Sequence, residues 1–231
     1  MRENRLKKLW AEDKPALGGW MVLPSNISAE YLAHAGFDWL CVDTQHGLVG
    51  FTELREIVQA VRFMDVPELV LVSPDLAAAV AACRYPPDGT RSWGPTGASI
   101  GRRPYTTEGA NRETACFAMI ETRQGLDDVD EIAAVPGLDG IYVGPNDLGL
   151  SLGLPPMLSD HGPVLTDAIV QIGEACRRHG IVPGVAIYEP DAAAAVAKWQ
   201  GHGFTLFGLP SDGYLLRRAA DALLASLPPR S

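Results

Sequence analysis

The sequence predicts an α/β fold with one parallel sheet wrapped by helices and, within that class, a TIM-type (β/α) barrel. Short apolar runs near residues 16, 37, 66, 116, 138, 181 and 204 alternate strictly with helical patterns, as repeated strand-helix units do. The runs Cys116–Ile120 and Leu138–Val143 are nearly continuous in Ile, Val, Phe, Met and Tyr instead of alternating, which is expected of strands buried on both faces. No run is followed by GxGxxG or GxxxxGK(S/T), so an open nucleotide-binding sheet lacks its main support. The run count is seven, whereas a complete barrel has eight.

Taken in order, Arg2–Ala11 reads as a helix and Ala16–Val22 as a strand whose Gly18 and Gly19 permit close backbone approach. Ser25 or Asn26 caps a helix that runs through Ala35 and stops at Gly36. Phe37–Val42 is the second strand, and a helix from about Phe51 to Phe63 follows the turn after it. Val66–Val72 is the third strand, and Ser73 or Pro74 opens an Ala-rich helix to Arg84. The Gly- and Pro-rich segment from Tyr85 to about Glu113 is too long for a plain connection and is expected to be a lid or a subunit contact. After the two central strands come a helix over His161–His179, a strand over Ile181–Ile187, a helix over Asp191–Gln200 and a strand over Phe204–Leu209. The last helix, Asp212–Leu227, carries an apolar stripe of Leu215, Leu216, Ala219, Ala220, Leu223 and Leu224.

The chain's 231 residues suffice for one large domain, and residues 1–231 are read as a single barrel. A net charge of -9 argues against nucleic acid or an anionic membrane surface as the main partner, since both need clustered Lys and Arg. The basic group Arg2, Arg5, Lys7 and Lys8 reads as the solvated face of the first helix. No apolar run reaches the roughly 18 residues of a membrane span and no signal-peptide core is visible, so a cytoplasmic location is expected. The four cysteines lack short paired spacing and are expected to be reduced structural thiols.

In a barrel, functional groups gather at the carboxyl-terminal ends of the strands. Asp43, Gln45 and His46 follow the second strand, Glu121 closes the fourth, and Asp147 follows the fifth across Gly144-Pro145-Asn146. Plainer roles exist for some of them: Asp43 can cap a turn, and Asp147 can cap a short helix. Glu121 is harder to dismiss, because a carboxylate abutting a buried strand is costly without a partner or a cation. Two carboxylates without paired Cys or His make an oxygen-rich site suited to Mg2+ or Mn2+, with Co2+ or Zn2+ as alternatives. Beside a histidine base such a site is equipped for proton abstraction next to a carbonyl. Ser25 and Ser211 sit in turns without a nucleophile elbow, which leaves Ser/His/Asp chemistry unsupported.

Three blocks resemble the HpcH/HpaI family of class II, metal- and pyruvate-dependent aldolases: FDWLCVDTQHG from Phe37, RYPPDGTRSWGP from Arg84, and the MIET and GPNDL of the central stretch. The GVAIY strand and the FGLPSDGYLLRRA segment extend the likeness over most of the chain. The resemblance implies a TIM barrel that cleaves or forms 4-hydroxy-2-oxo acids with pyruvate as enolate donor and an aldehyde as the other partner. It implies Glu121 and Asp147 as metal ligands, His46 as base, and Asp75 as the acid paired with that histidine. Backbone amides of Asn146 and Asp147, in the turn with Gly144 and Pro145, would receive the pyruvate carboxylate, with Asp43 and Gln45 in support. A homo-oligomer, trimer or hexamer, is implied as well. Two departures stand out. Met119 occupies a position where members commonly carry Gln, and about one strand-helix unit near residues 66–76 is missing together with the Arg that contacts pyruvate. The alternatives are an acyl-CoA lyase of the citrate lyase beta type and a binding homologue impaired by loss of that Arg.

Overall fold

The structure, a computed structural model, describes residues 3–62, 64, 67–71, 76–95, 99–100, 104–155 and 162–228. Its elements, in chain order, are α1 (Arg5–Ala11), β1 (Ala16–Met21), α2 (Asn26–His34), β2 (Trp39–Asp43), α3 (Phe51–Val61), β3 (Glu68–Leu71), α4 (Leu76–Cys83) and α5 (Thr107–Glu113). There follow β4 (Phe117–Ile120), α6 (Arg123–Asp127), α7 (Val129–Ala133), β5 (Gly140–Val143), α8 (Pro145–Ser151), α9 (Gly162–His179), β6 (Val182–Ala186), α10 (Ala192–Gly201), β7 (Leu206–Ser211) and α11 (Asp212–Ala225). Among the described residues no helix is long and apolar enough to cross a membrane.

Hydrogen bonding orders the strands β3-β2-β1-β7-β6-β5-β4. The ladders β1–β2, β2–β3, β4–β5 and β5–β6 are all parallel. The order is the sequential cycle of a barrel cut once, between β3 and β4. This corrects the expected closed TIM-type barrel: the sheet is an open α/β sheet with β3 and β4 as its edges. Between those two strands the described residues contribute α4 and α5 but no strand, so no ladder joins the edges. The segment expected to be shortened, near residues 66–76, contributes β3, while residues 72–75 lie outside those described.

The chain divides into two compact units, Met1–Ala16 with Ser73–Phe207, and Leu17–Val72 with Gly208–Ser231. In the second of these, β2 is buried along its whole length, as a parallel strand covered on both faces must be. Met21, Ala29, Ala33, Leu40, Val42, Val49, Ile57 and Val61 form its core. Gly18 is required by packing, because a Cβ there would lie 2.0 Å from the Trp39 ring. Ser25 caps α2 by accepting from the Ser28 amide at 3.1 Å, and Gly36, at φ +100°, takes the left-handed conformation that ends the helix.

In the other unit, β5 is fully buried and Ile141, Val143, Ile169, Ile172, Trp199 and Phe204 pack its core. The first helix is more than a solvated basic face. Leu6 is buried, and Trp10 meets Phe117 of the edge strand β4 edge-on at 5.5 Å. The segment expected to be one long loop over residues 85–113 contains α5, capped by Thr106, which accepts from the Gly109 amide at 3.0 Å. Among its other described residues, several gather on buried Tyr85. That ring lies 5.5 Å from Trp93 with Arg91 stacked 4.7 Å over it, and its backbone is clasped by Asn111.

Candidate metal centre

The geometry begins with the register of β4 and β5. Ile120 pairs with Val143, and the Gly144 amide donates to the Ile120 carbonyl at 3.2 Å, so the residues leaving each strand stand opposite one another. Glu121 leaves β4 there. From β5 the chain turns at Gly144 into α8, whose first residue, Pro145, lacks an N–H that would have gone unpaired in any case. Asp147 falls in the first turn of α8, where a carboxylate is favoured by the helix dipole. A Cβ at Gly144 would lie 3.4 Å from Glu121 Cβ, 3.5 Å from its Oε2 and 3.8 Å from Met119 Sδ. Glu121 therefore rests against the turn, with the Met119 thioether beside it. A carboxylate oxygen of Glu121 and one of Asp147 lie within 4.8 Å of each other.

This donor pair fits a hard divalent cation. Two oxygens sharing one Mg2+ at about 2.1 Å are at most about 4.2 Å apart, so side-chain shifts below an ångström bring both to one ion. Glu121 is half-buried and Asp147 exposed, which leaves room for water and a substrate oxygen. The Asn146 side-chain oxygen is buried and accepts no hydrogen bond from the described residues.

In the other unit the turn after β2 is built around Asp43, which is only 3% exposed. Its Oδ1 accepts from the amides of Gln45 at 2.9 Å and His46 at 2.8 Å, and its Oδ2 accepts from Trp20 Nε1 at 2.9 Å. Asp43 is thus the turn cap, and Gln45 and His46 are exposed at the carboxyl end of β2. Gly47 completes the turn, since a Cβ there would lie 2.2 Å from the Asp43 carbonyl oxygen. Asp75, the acid expected to pair with His46, lies outside the described residues.

Two buried polar groups, each inside a block that carries the resemblance, have no role assigned by the sequence reading. Asp212, 6% exposed at the start of α11, accepts from the amides of Val22 at 3.0 Å and Gly213 at 2.8 Å and from Ser28 Oγ at 2.9 Å. Arg84 donates to Asp139 at 2.8 Å, and Asp139 also receives the Cys116 amide at 2.8 Å and Lys7 at 3.0 Å. Each is a charged residue at an element boundary, and the partners that bury it are remote in sequence.

The family profile "HpcH/HpaI aldolase/citrate lyase" matches residues 54–219. A 4-hydroxy-2-oxovalerate aldolase of Rhodococcus jostii (strain RHA1) is 33% identical over 250 residues, covering 96% of this chain and 95% of the relative. A 4-hydroxy-2-oxo-heptane-1,7-dioate aldolase of Shigella sonnei (strain Ss046) is 33% identical over 254 residues, covering 96% and 94%. An HpcH/HpaI aldolase/citrate lyase family protein from Burkholderia cenocepacia J2315 superposes with a TM-score of 0.81 at 29% identity, covering 96% of this chain and 98% of that one. Since 96% of 231 residues is about 222, about 30 aligned positions in each aldolase find no counterpart here. That is roughly one strand-helix unit, and the sheet is cut at one place. The profile match and these full-length relatives make the chain a member of the HpcH/HpaI aldolase/citrate lyase family.

Proposed function

We propose that the chain is a divalent-metal aldolase that releases pyruvate from, or adds it to give, a 4-hydroxy-2-oxo acid. The observation that carries this reading is the pair of carboxylates, Glu121 and Asp147, held within 4.8 Å at the ends of neighbouring parallel strands. The relatives' names, both 4-hydroxy-2-oxo acid aldolases, support the substrate class. In this reading Glu121 and Asp147 hold Mg2+ or Mn2+, and the bound ion supplies charge stabilisation to an oxygen that becomes negative as the carbon–carbon bond breaks. His46, on the Asp43-capped turn, carries the proton to and from the substrate hydroxyl, with Asp75 as its partner acid. Amides of Asn146 and Asp147, in the first turn of α8, receive the pyruvate carboxylate next to Gly144 and Pro145. Met119 offers no polar contact where a Gln would.

Pyruvate release from 4-hydroxy-2-oxo acids, measured with Mg2+ or Mn2+ and again after chelation, tests the reading. Activity that depends on the ion and collapses in His46→Ala is expected; indifference to both chelator and substitution would sink it. Cleavage of an acyl-CoA substrate without turnover of free oxo acids would instead move the assignment to a citrate lyase type.

One observation favours a second reading. The sheet opens where the resemblance places an Arg-bearing unit, and about 30 aligned positions are missing. A chain without that Arg binds the enolate mimic oxalate together with metal but turns over no oxo acid. Calorimetry with oxalate and Mn2+, run beside the turnover assay, separates the two readings.

A further inference from the structure

Glu121 and Asp147 lie past the carboxyl ends of β4 and β5. Toward the amino ends of the same strands, a cleft of about 570 Å3 is lined by residues of α4, of α5 and of the turn that leads into β5. Its volume is within the range of small-molecule sites. Val80 and Arg84, the buried members of the lining, form its floor. Pro86, Pro87 and Pro136 are exposed and give its walls an apolar face. All of these residues belong to one compact unit, and none has a part in the metal chemistry.

Arg84 is only 8% exposed, yet its guanidinium is engaged on one nitrogen alone. Nη2 donates to Asp139 Oδ2 at 2.8 Å and to the Gly137 carbonyl at 3.3 Å, whereas Nη1 is buried and donates to none of the described residues. A buried charged donor without an acceptor is costly, so such a group marks a place where an acceptor is wanted. The charges point the same way. Asp139 is shared between Arg84 and Lys7, the latter at 3.0 Å, so two cations face one carboxylate and one positive charge is left over. At the rim the balance reverses: Arg112 is paired with Glu113 at 2.8 Å, which leaves Asp88 and Glu108 as anions. A ligand with a single negative charge at the floor is therefore favoured, and a polyanion that reaches the rim is repelled.

We propose that this cleft is a binding site, separate from the metal centre, for a small organic monocarboxylate. Its carboxylate takes the free donors of Arg84, and its apolar body lies against Val80 and the three prolines. A guanidinium suits this role because its donors form a planar fork that matches the two oxygens of a carboxylate. Nη1 lies beneath the surface of the cleft, and the side chain is held to Asp139 through Nη2 only. Arg84 turns about that contact as the carboxylate enters, which keeps the pair with Asp139 while the second nitrogen gains its acceptor.

The test titrates benzoate, as a probe monocarboxylate, into the full chain after chelation and dialysis, with calorimetry as the readout. One benzoate per chain is expected to bind with a Kd of about 1 mM or below. Benzamide, which has the same shape without the charge, and inorganic phosphate, which lacks the apolar body, are each expected to bind about 10-fold more weakly or not at all. Arg84→Lys keeps a cation for Asp139 but removes the fork, and is expected to weaken benzoate about 10-fold or more. Thr107→Trp fills the cleft from its lining, spares the Arg84–Asp139 pair and is expected to abolish binding; it decides the matter should Arg84→Lys fail to fold. Asp147→Asn is expected to leave benzoate affinity unchanged, so the result stands apart from the aldolase reading. The proposal is overturned by an absence of saturable binding, by equal affinity for benzamide or phosphate, by binding that survives Thr107→Trp, or by binding lost in Asp147→Asn.

Discussion

At the scale of single residues, carboxylates at the ends of strands play two opposite parts. Glu121 and Asp147 are held within 4.8 Å by the backbone register of β4 and β5, and with water on the Asp147 side their repulsion is about 1 kcal/mol. Asp147→Asn is therefore expected to leave the metal-free chain equally stable or up to about 1 kcal/mol more stable. It should also abolish any rise of melting temperature on adding Mn2+ and lower pyruvate release by about 100-fold or more, since a bound cation contributes several kcal/mol at about 1.4 kcal/mol per tenfold. Thermal melts with and without Mn2+ and a single-turnover assay check the two halves. Asp212 behaves oppositely: it is buried and receives the Val22, Leu23 and Gly213 amides and the Ser28 hydroxyl. Asp212→Ala strands those donors and is expected to cost about 3 kcal/mol in urea unfolding whether or not metal is present. The nearness of Glu121 and Asp147 was legible because Glu121 follows one recognisable strand directly and Asp147 follows the next across a three-residue turn. Asp212 was not, since its partner Val22 lies 190 positions away in sequence.

At the scale of elements, local chemistry reads well where it is self-contained. Ser25 and Gly36 mark the ends of α2 because a cap and a left-handed stop act within a turn of their own residues. Helix α5 was hidden by its setting, seven residues after a Gly- and Pro-rich stretch, although Thr106 and Glu108 are ordinary signals for a helix start. What fixes α5 is tertiary. The Glu113 carboxylate accepts from the Asn4 amide at 2.8 Å and from Arg112 at 2.8 Å, and the Asn4 side chain donates back to the Glu113 carbonyl at 2.8 Å, tying α5 to α1. Burial alone would raise the Glu113 carboxyl, but the Asn4 amide, Arg112 and Lys7 outweigh it and hold the group below its ordinary value. A carboxyl lowered on folding contributes stability above its unfolded value, near 4, and loses it as pH falls through the still lower folded value. Glu113→Gln is thus expected to cost about 1 kcal/mol at pH 7, with the gap to the natural chain closing below about pH 4 in urea titrations.

At the scale of the whole molecule, the strands and the parallel sense of the ladders β1–β2, β2–β3, β4–β5 and β5–β6 could be read from periodicity, because burial on both faces leaves a continuous apolar run. Closure could not: a run of Val and Ile reports that a strand is covered, and strands of open and closed sheets are covered alike. Whether the sheet closes depends on a ladder between β3 and β4, which among the described residues are separated by α4, α5 and no strand. A second whole-molecule property lies in the last helix. Among the residues of α11 only Asp212 is buried, while Leu215, Leu216, Leu223 and Leu224 are 41–66% exposed, with Leu227 just beyond at 50%. Burying four leucines of this kind against a second copy stabilises association by several kcal/mol at about 25 cal/mol per Å2, whereas leaving a row of them in water invites nonspecific contact. The chain is therefore expected to be a homo-oligomer in solution, a trimer or hexamer by family resemblance, joined through α11. Light scattering on the natural chain should give a multiple of 24.7 kDa, and Leu216→Glu with Leu223→Glu should shift it toward the monomer without altering the circular dichroism of the fold. A natural chain that stays monomeric at micromolar concentration would remove α11 as the joining surface and leave its exposed leucines without a partner among copies of this chain.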